Sequence, residues 1–310
     1  DGRASTAGSL THSLPSMKIV RYDGGRVGAT NGHQVVDLSD LCGAGPEEWP
    51  PVGISRLIRD FDRLRPEIAR RLAGGGGVPL DGVRLETPVP WPNKLMAFPV
   101  NYHDHAKEMA SRGLASIQGY FLKSASSLIG PADPIELPAL TGREVHHECE
   151  IALVIGRGGR QIPRERALEH VFGYACLMDM TVRGREERVF RKSYDTFTPV
   201  GPWIVTADEV PDPGDIEMKL WVNGELRQHA NTRDLIVGIP EMVAVASSAS
   251  TLYPGDLIAT GTPAGVGAVG HGDVVTIEVA HVGRMSLPVV QGTRGANPVF
   301  DQPYAFVRAS

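Results

Sequence analysis

The order of apolar and polar positions divides the chain into a short β unit, a helical stretch and a long strand-rich region. Lys18-Ile19-Val20-Arg21-Tyr22 has the composition of a strand, Asp23-Gly24-Gly25 of a turn, and Asn31-Gly32 marks a hairpin before Val35-Val36-Asp37-Leu38. From Ile54 onward, Ile54, Leu57, Ile58, Phe61, Leu64, Ile68 and Leu72 recur at helical spacing. Pro66 has no N–H to give the helical ladder, so the spacing predicts a kink or split there. Gly74 to Gly77 end the helix. The segment Pro88-Val89-Pro90-Trp91-Pro92 is then extended and semi-rigid, and the domain boundary is placed in it.

Beyond the connector, apolar runs are short and separated by turns. Lys94 to Phe98 predicts a strand that leads into a short helix around Asn101 to Met109, and Gly119 to Lys123 is a further apolar segment. His146-His147-Glu148-Cys149-Glu150 runs into the unbroken apolar stretch Ile151 to Ile155 and stops at Gly156, the signature of a strand entering a core. Arg164 to His170 is a helical connector, and Phe172 to Met178 delivers Asp179. Trp221 to Leu226 forms a hairpin about Asn223-Gly224, and Pro240 to Leu252 a helix with proline in its first turn. Asp256 to Pro263 runs from strand to loop, and Val274 to Val279 is a late strand. Strands outnumber helices after residue 94, which argues for an α+β protein built on a mixed, largely antiparallel sheet. The expected organisation is a disordered leader over 1–16, a small N-terminal α/β domain over 17–90, a β-rich domain over 91–290 and a tail over 291–310.

Composition narrows the class. The 310 residues are 42% hydrophobic and 22% charged, with 31 basic against 36 acidic side chains and a formal charge of −5. No basic stripe suggests nucleic acid, and no apolar run approaches the roughly 20 residues that span a bilayer. The small, polar leader lacks the apolar centre of a signal peptide. Cys42, Cys149 and Cys176 have no metal-binding spacing and read as reduced thiols of a cytoplasmic protein.

Chemistry concentrates around Glu148 and Glu150. Alternate side chains of a strand share a face, so these carboxylates point the same way. Held together and buried, they repel each other and lose hydration, unless a cation lies between them. A divalent metal with hard oxygen ligands is one remedy, and Asp179 would complete a three-carboxylate set. Two solvated glutamates on an emerging edge strand would give the same string. His146 shares that face and would make a softer site for zinc or iron. His105 and Glu108, three apart on a helix, also share a face, and a carboxylate that fixes an imidazole tautomer suits a general base. A solvated helix face is the plainer reading of that pair. Lys123 and Lys192 are candidate anchors for an anionic substrate, or simply surface lysines. Gly265-Val266-Gly267-Ala268-Val269-Gly270 has no helix after it to receive a dinucleotide, and reads as a loop permitting close backbone approach. No Gly-x-Ser-x-Gly supports a serine nucleophile.

Taken in order, these pieces resemble the fumarylacetoacetate hydrolase family from about Lys94 to Val290. The marks are Asn101-Tyr102 with His105-x-x-Glu108, Phe121-x-Lys123, Glu148-x-Glu150, Gly173-Tyr174 with Asp179-x-Thr181-x-Arg183, Lys192 with Asp195-Thr196-Phe197-x-Pro199-x-Gly201-Pro202, and Thr260-Gly261-Thr262-Pro263-x-Gly265-Val266-Gly267. The resemblance implies that residues 91–290 are a β-rich catalytic domain with a mixed roll, usually assembled as a homodimer. It also implies Mg²⁺ or Mn²⁺ held by Glu148, Glu150 and Asp179, with Ca²⁺ able to stand in for either in crystals. His105 and Glu108 would lie on a lid helix and act with Lys192, while Tyr120, Lys123, Arg183 and Thr262 would bind substrate. Met178 stands where the family usually has Asn, and Gly184 where it usually has Asp.

The implied reaction is hydrolysis of a carbon–carbon bond in an acylpyruvate or 1,3-diketo acid. His105, oriented by Glu108, would take a proton from the water attacking the 4-carbonyl, and a pyruvate enolate would leave with its charge stabilised by the metal. Decarboxylation of an oxaloacetate-type acid, or isomerisation or hydration of a 2-hydroxydienoate, would use the same metal site. A catalytically inactive, metal-stabilised binding protein is the remaining class. The acyl pocket is expected among lid residues 109–117 and the N-terminal domain.

Overall fold

The computed structural model describes residues 17–110 and 113–295. The expected leader over 1–16, residues 296–310 of the expected tail, and residues 111 and 112 of the expected lid lie outside the described residues.

A sheet of twelve strands carries the architecture. Its path runs Val78–Pro79, Gln34–Asp37, Arg26–Thr30, Lys18–Tyr22, Thr198–Thr206, Val171–Met178, Cys149–Ile155, Leu257–Ala259, Leu95–Ala97 and Phe121–Lys123. Leu85–Glu86 adds to Lys18–Tyr22, and Leu128–Ile129 pairs with Thr198–Thr206. The N-terminal hairpins join this sheet through antiparallel partners Lys18 with Val205 and Ile19 with Ile204. Most pairs are antiparallel, but Leu257–Ala259 runs parallel to Leu95–Ala97, so the sheet is mixed, in keeping with the β-rich α+β class.

Against one face packs a five-stranded sheet ordered Glu225–Asn231, Glu217–Val222, Val274–Val279, Gly283–Gln291 and Ile135–Leu137. Strand alternation fixes what lies between them: Ile151, Leu153 and Ile155 join Met218, Leu220, Val275, Ile277 and Leu287 in one fully buried core. The other face of the same strand carries Glu150, Ala152 and Val154. Val154, with Phe172, Ile204 and Leu257, receives the N-terminal helices. In the middle, Ala152 clusters with Ala97, Ala175, Ala259, Leu177 and Val200, with Phe121 and Leu128 packed against them.

The predicted long helix is two helices, Gly53–Arg59 and Phe61–Gly74. They part at Asp60, whose backbone leaves helical values (φ −99°, ψ 11°) and whose carboxylate takes Arg59 and Arg63. Pro66 lies inside the second helix on its exposed side. Its missing bond therefore falls toward water, and the buried stripe of Phe61, Leu64, Ile68 and Leu72 continues past it. The connector Arg164–His170 is a 3₁₀ helix. Asn223 and Gly224 turn the predicted hairpin with positive φ values of 52° and 81°. All three cysteines are free and buried. Among the described residues no helix is long and apolar enough to cross a membrane.

Asp256 locks the parallel pair from within. Its side chain is fully buried and accepts the Lys94 N–H at 2.9 Å and the Tyr253 N–H at 2.8 Å, while the Lys94 ammonium lies 2.7 Å away. Removing that carboxylate leaves two amides without their acceptor and the largely buried Lys94 ammonium with only the Asn93 side-chain oxygen. Asp256→Ala is therefore expected to lower unfolding free energy by about 3–5 kcal/mol, read from the urea midpoint. Asp256→Asn, which keeps one acceptor oxygen, is expected to lose less.

Candidate active site and metal centre

The two glutamates do not sit on one continuous strand. Val145–His147 belongs to a separate three-stranded sheet with Thr181–Val182 and Gly267–Val269, whereas Cys149–Ile155 belongs to the large sheet. Glu148 is the residue at which the chain changes sheets. Its carbonyl accepts the Asp179 N–H at 2.9 Å, extending by one step the register that sets Cys149 opposite Met178. Glu148, Glu150 and Asp179 thus converge, their carboxylate oxygens all within 4.8 Å of one another. All three are 4% exposed or less, which rules out the solvated-edge reading.

Cations surround this cluster unevenly. The Lys192 ammonium lies 2.7 Å from Glu148 Oε2 and 2.6 Å from Asp179 Oδ2. Lys123 pairs with Asp179 Oδ1 and donates to the Phe197 carbonyl at 3.1 Å, and Arg183 Nη2 reaches Glu148 at 3.2 Å. Glu150 receives only the Gly261 N–H, at 2.7 Å, and no cationic side chain lies within ion-pairing distance among the described residues. Its carboxyl is accordingly pushed well above the usual range, by burial first and then by Asp179 and Glu148. Burial acts on Glu148 too, but Lys192 and Arg183 outweigh it and hold that carboxyl well below the usual range. A buried carboxylate with no counter-charge, beside two others and with only oxygen donors in reach, fits a hard divalent cation. Glu148, Glu150 and Asp179 are the residues that could hold one.

His146 contributes nothing to this set. Its Nε2 lies 2.8 Å from Glu144, and burial, then Arg183, pulls the imidazole down to about 4. The change of sheet after His147 explains why the expected shared face is lost.

His105 and Glu108 occupy the short helix His103–Glu108, with His105 Nδ1 3.2 Å from Glu108 Oε2. The Gly265 N–H reaches both oxygens of Glu108 at 3.2 Å. Gly265 itself has a φ of +97°, and a Cβ there would lie 2.1 Å from the Arg227 carbonyl, so only glycine lets the loop approach this closely. Asn101 ties the base of the helix down: its amide donates to the Val237 and Thr260 carbonyls at 3.0 and 2.8 Å, and its oxygen accepts the Val237 N–H at 2.8 Å.

A cleft of about 250 Å³ opens over the carboxylates. His105, Arg183, Lys192 and Thr262 line it together with Phe98, Val100, Met109 and Phe121. Lys123 does not reach the cleft surface, because its ammonium is fully buried beneath Asp179. Tyr120 stands outside the lining: its ring packs on Phe98 and its hydroxyl lies 3.2 Å from Ser250 Oγ. Glu108 sits behind His105 rather than in the wall. Where a side chain at Gly184 would project, the Arg143–Glu186 ion pair fills the space, with closest oxygen and nitrogen contacts of 2.0 and 1.9 Å.

Three residues absent from the sequence reading matter here. Gln228 is 1% exposed and works as a buried bracket, accepting the Cys149 N–H at 2.9 Å and donating to Thr262 Oγ1 at 2.8 Å and the Pro263 carbonyl at 2.9 Å. Arg188 and Arg191 line the cleft from a one-turn helix, Arg188–Arg191. No local signal distinguishes Gln228, which lies 79 residues from Cys149 along the chain. The Arg188-x-x-Arg191-Lys192 spacing, which puts both arginines near the predicted Lys192, was the available clue to the other two.

Comparison with known proteins places this geometry. The fumarylacetoacetate (FAA) hydrolase C-terminal family matches residues 94–290. The chain is 43% identical over 285 residues to maleylpyruvate hydrolase of Aquipseudomonas alcaligenes, covering 88% of this chain and 99% of that protein. It is similar to the crystal structure of maleylpyruvate hydrolase from Sphingobium sp. SYK-6 in complex with manganese(II) ion and pyruvate, with a TM-score of 0.82 and 55% identity over 89% of this chain and all (100%) of that one. A probable 2-hydroxyhepta-2,4-diene-1,7-dioate isomerase from Mycobacterium abscessus is more distant, with a TM-score of 0.75 and 32% identity over 90% of this chain and 99% of that one. With nearly two-thirds of its length matched and full-length relatives well above 30% identity, the chain belongs to the fumarylacetoacetate hydrolase family.

Proposed function

We propose that the protein is a metal-dependent hydrolase that cleaves the carbon–carbon bond of an acylpyruvate, giving a carboxylic acid and pyruvate. The observation that carries this reading is the uncompensated, buried Glu150 beside Glu148 and Asp179, opposite a histidine held by a carboxylate. The similarity to a hydrolase solved with manganese and pyruvate supports it. A magnesium or manganese ion held by the three carboxylates would supply Lewis-acid stabilisation of negative charge on the substrate.

The chain's own residues do the rest. Glu108 accepts from His105 Nδ1, which leaves Nε2 as the nitrogen able to take a proton from water. The Gly265 N–H holds Glu108 in place, so the imidazole keeps its orientation without spending substrate binding energy. Water attacks the 4-carbonyl as its proton passes to His105. The tetrahedral adduct then breaks its bond to carbon 3, and the enolate so released takes up a proton to become pyruvate. Lys192 and Arg183 hold the carboxylate cluster and face the substrate's anionic end. Gln228 fixes the Thr262 hydroxyl at the cleft wall. In this reading residues 91–290 form the catalytic unit, residues 17–90 complete its sheet, and two copies work as a homodimer in the cytoplasm.

His105→Ala is expected to lower kcat on an acylpyruvate by about 10²–10⁴-fold, with the manganese affinity unchanged. Release of pyruvate and a second acid without carbon dioxide distinguishes hydrolysis from decarboxylation, and conversion without cleavage would favour the isomerase class. An undiminished rate in His105→Ala would remove the proposed base.

Metal binding has its own readout. Manganese at about 100 times its dissociation constant is expected to add about 2.7 kcal/mol of stability, visible as a rise in melting temperature that a chelator reverses. Glu150→Gln, which removes the charge and keeps the shape, is expected to abolish the rise. A variant that still responds fully to manganese would show that Glu150 is not a ligand.

A further inference from the structure

Two cations of the cleft wall pair with none of its carboxylates. Lys123, Lys192 and Arg183 already neutralise Glu148 and Asp179. Arg188 and Arg191 lie on the same wall, and among the described residues neither guanidinium has a carboxylate within 4 Å. Arg188 Nη1 donates to the Gln118 side-chain oxygen at 2.9 Å, and its guanidinium stacks 5.2 Å from the centre of the Phe121 ring. Arg191 Nη1 donates to Thr181 Oγ1 at 2.9 Å, while its Nε is buried with no acceptor. Both contacts are to neutral groups, so they position the two cations without discharging them.

Arginines three apart on one turn share a face, and here that face is the cleft. The intervening Val189 and Phe190 are 45% and 42% exposed. Burial is the first cause pulling both guanidiniums below their ordinary range, with the Glu148 charge acting against it. Two partly desolvated forks without a counter-ion are costly to the folded state unless an anion completes them. Guanidinium pairs recognise carboxylates in two-point, planar fashion.

We propose that Arg188 and Arg191 form a second anion subsite that binds a carboxylate at the far, acyl end of the substrate, making the enzyme selective for dicarboxylic over monocarboxylic acylpyruvates. The proposal rests on the acylpyruvate reading only in placing the 2-oxo acid end at the Glu148, Glu150 and Asp179 cluster. The two arginines set specificity; they take no proton and make no bond to the reacting carbons.

Calorimetric titration of the manganese-loaded protein tests this without turnover. The ligands are 2-oxoheptanedioate and 2-oxoheptanoate, equal in length and differing only in the distal carboxylate. The native protein is expected to bind the diacid tighter by about tenfold or more. In Arg188→Gln/Arg191→Gln that gap is expected to close to within about threefold, with the monoacid affinity unchanged on the same scale. The single variants Arg188→Gln and Arg191→Gln carry the same comparison if the double variant does not fold. Equal affinity of both ligands for the native protein, no binding of either, a gap that survives the substitutions, or an equal loss for both ligands would each overturn the subsite. Failure of the hydrolase reading shows separately, as no turnover of any acylpyruvate by a protein that still discriminates the two ligands.

Discussion

Three carboxylates held together at 4% exposure or less are the constraint around which this molecule is arranged. Ionised carboxylates at that separation repel, and burial removes the hydration that would otherwise spread their charge. The fold answers with Lys123, Lys192 and Arg183, which account for Glu148 and Asp179 and leave Glu150 with a single amide. The imbalance is specific. Lys123 and Lys192 both pair with Asp179 and Lys192 also with Glu148, whereas Glu150, which lines the cleft, has no cationic side chain within ion-pairing distance among the described residues.

Such a centre needs a rigid mount, and the sheets supply it by changing partners at Glu148. Residues before that point pair with Gly267–Val269 and residues after it with Leu257–Ala259, so the glycine-rich loop between those two strands is drawn across the cluster. That loop gives the Gly261 N–H to Glu150 and the Gly265 N–H to Glu108. One backbone segment therefore couples a carboxylate of the cluster to the partner of the histidine. Gln228, reaching in from the five-stranded sheet, joins Cys149 to Thr262 and Pro263 and fastens the same loop from the other side.

The cleft walls carry visible cost. Val100, a β-branched residue, is held at a φ of +49° where the chain enters the histidine helix, a conformation that persists only under surrounding constraint. Asn101, next in sequence, provides that constraint through three hydrogen bonds to backbone. The strained residue thus lies in the same cleft wall as Arg188, Arg191 and Glu150, whose charges meet no counter-charge within ion-pairing distance among the described residues.

The sequence by itself determined the local elements and the residue types of the cluster. Period-2 alternation exposes Glu148 and Glu150 as charges in an otherwise apolar run, the His105-x-x-Glu108 spacing sets two groups on one helix face, and the turns at Asn31-Gly32 and Asn223-Gly224 carry their own backbone preference. These are consequences of neighbours a few residues apart. Only the tertiary structure decided what depends on distant partners: that Glu148 marks a switch of sheets, which turns His146 to Glu144 and away from the cluster; that Lys123 lies beneath Asp179 and Tyr120 faces Ser250; that Gln228 and the Arg188–Arg191 turn belong to the site. It also decided that Pro66 does not break its helix, because the residue falls on the watered side. The physical reason is the same in each case: which face a side chain shares follows from backbone period, but which charge it meets there follows from strand order, and strand order is set by packing across the whole chain.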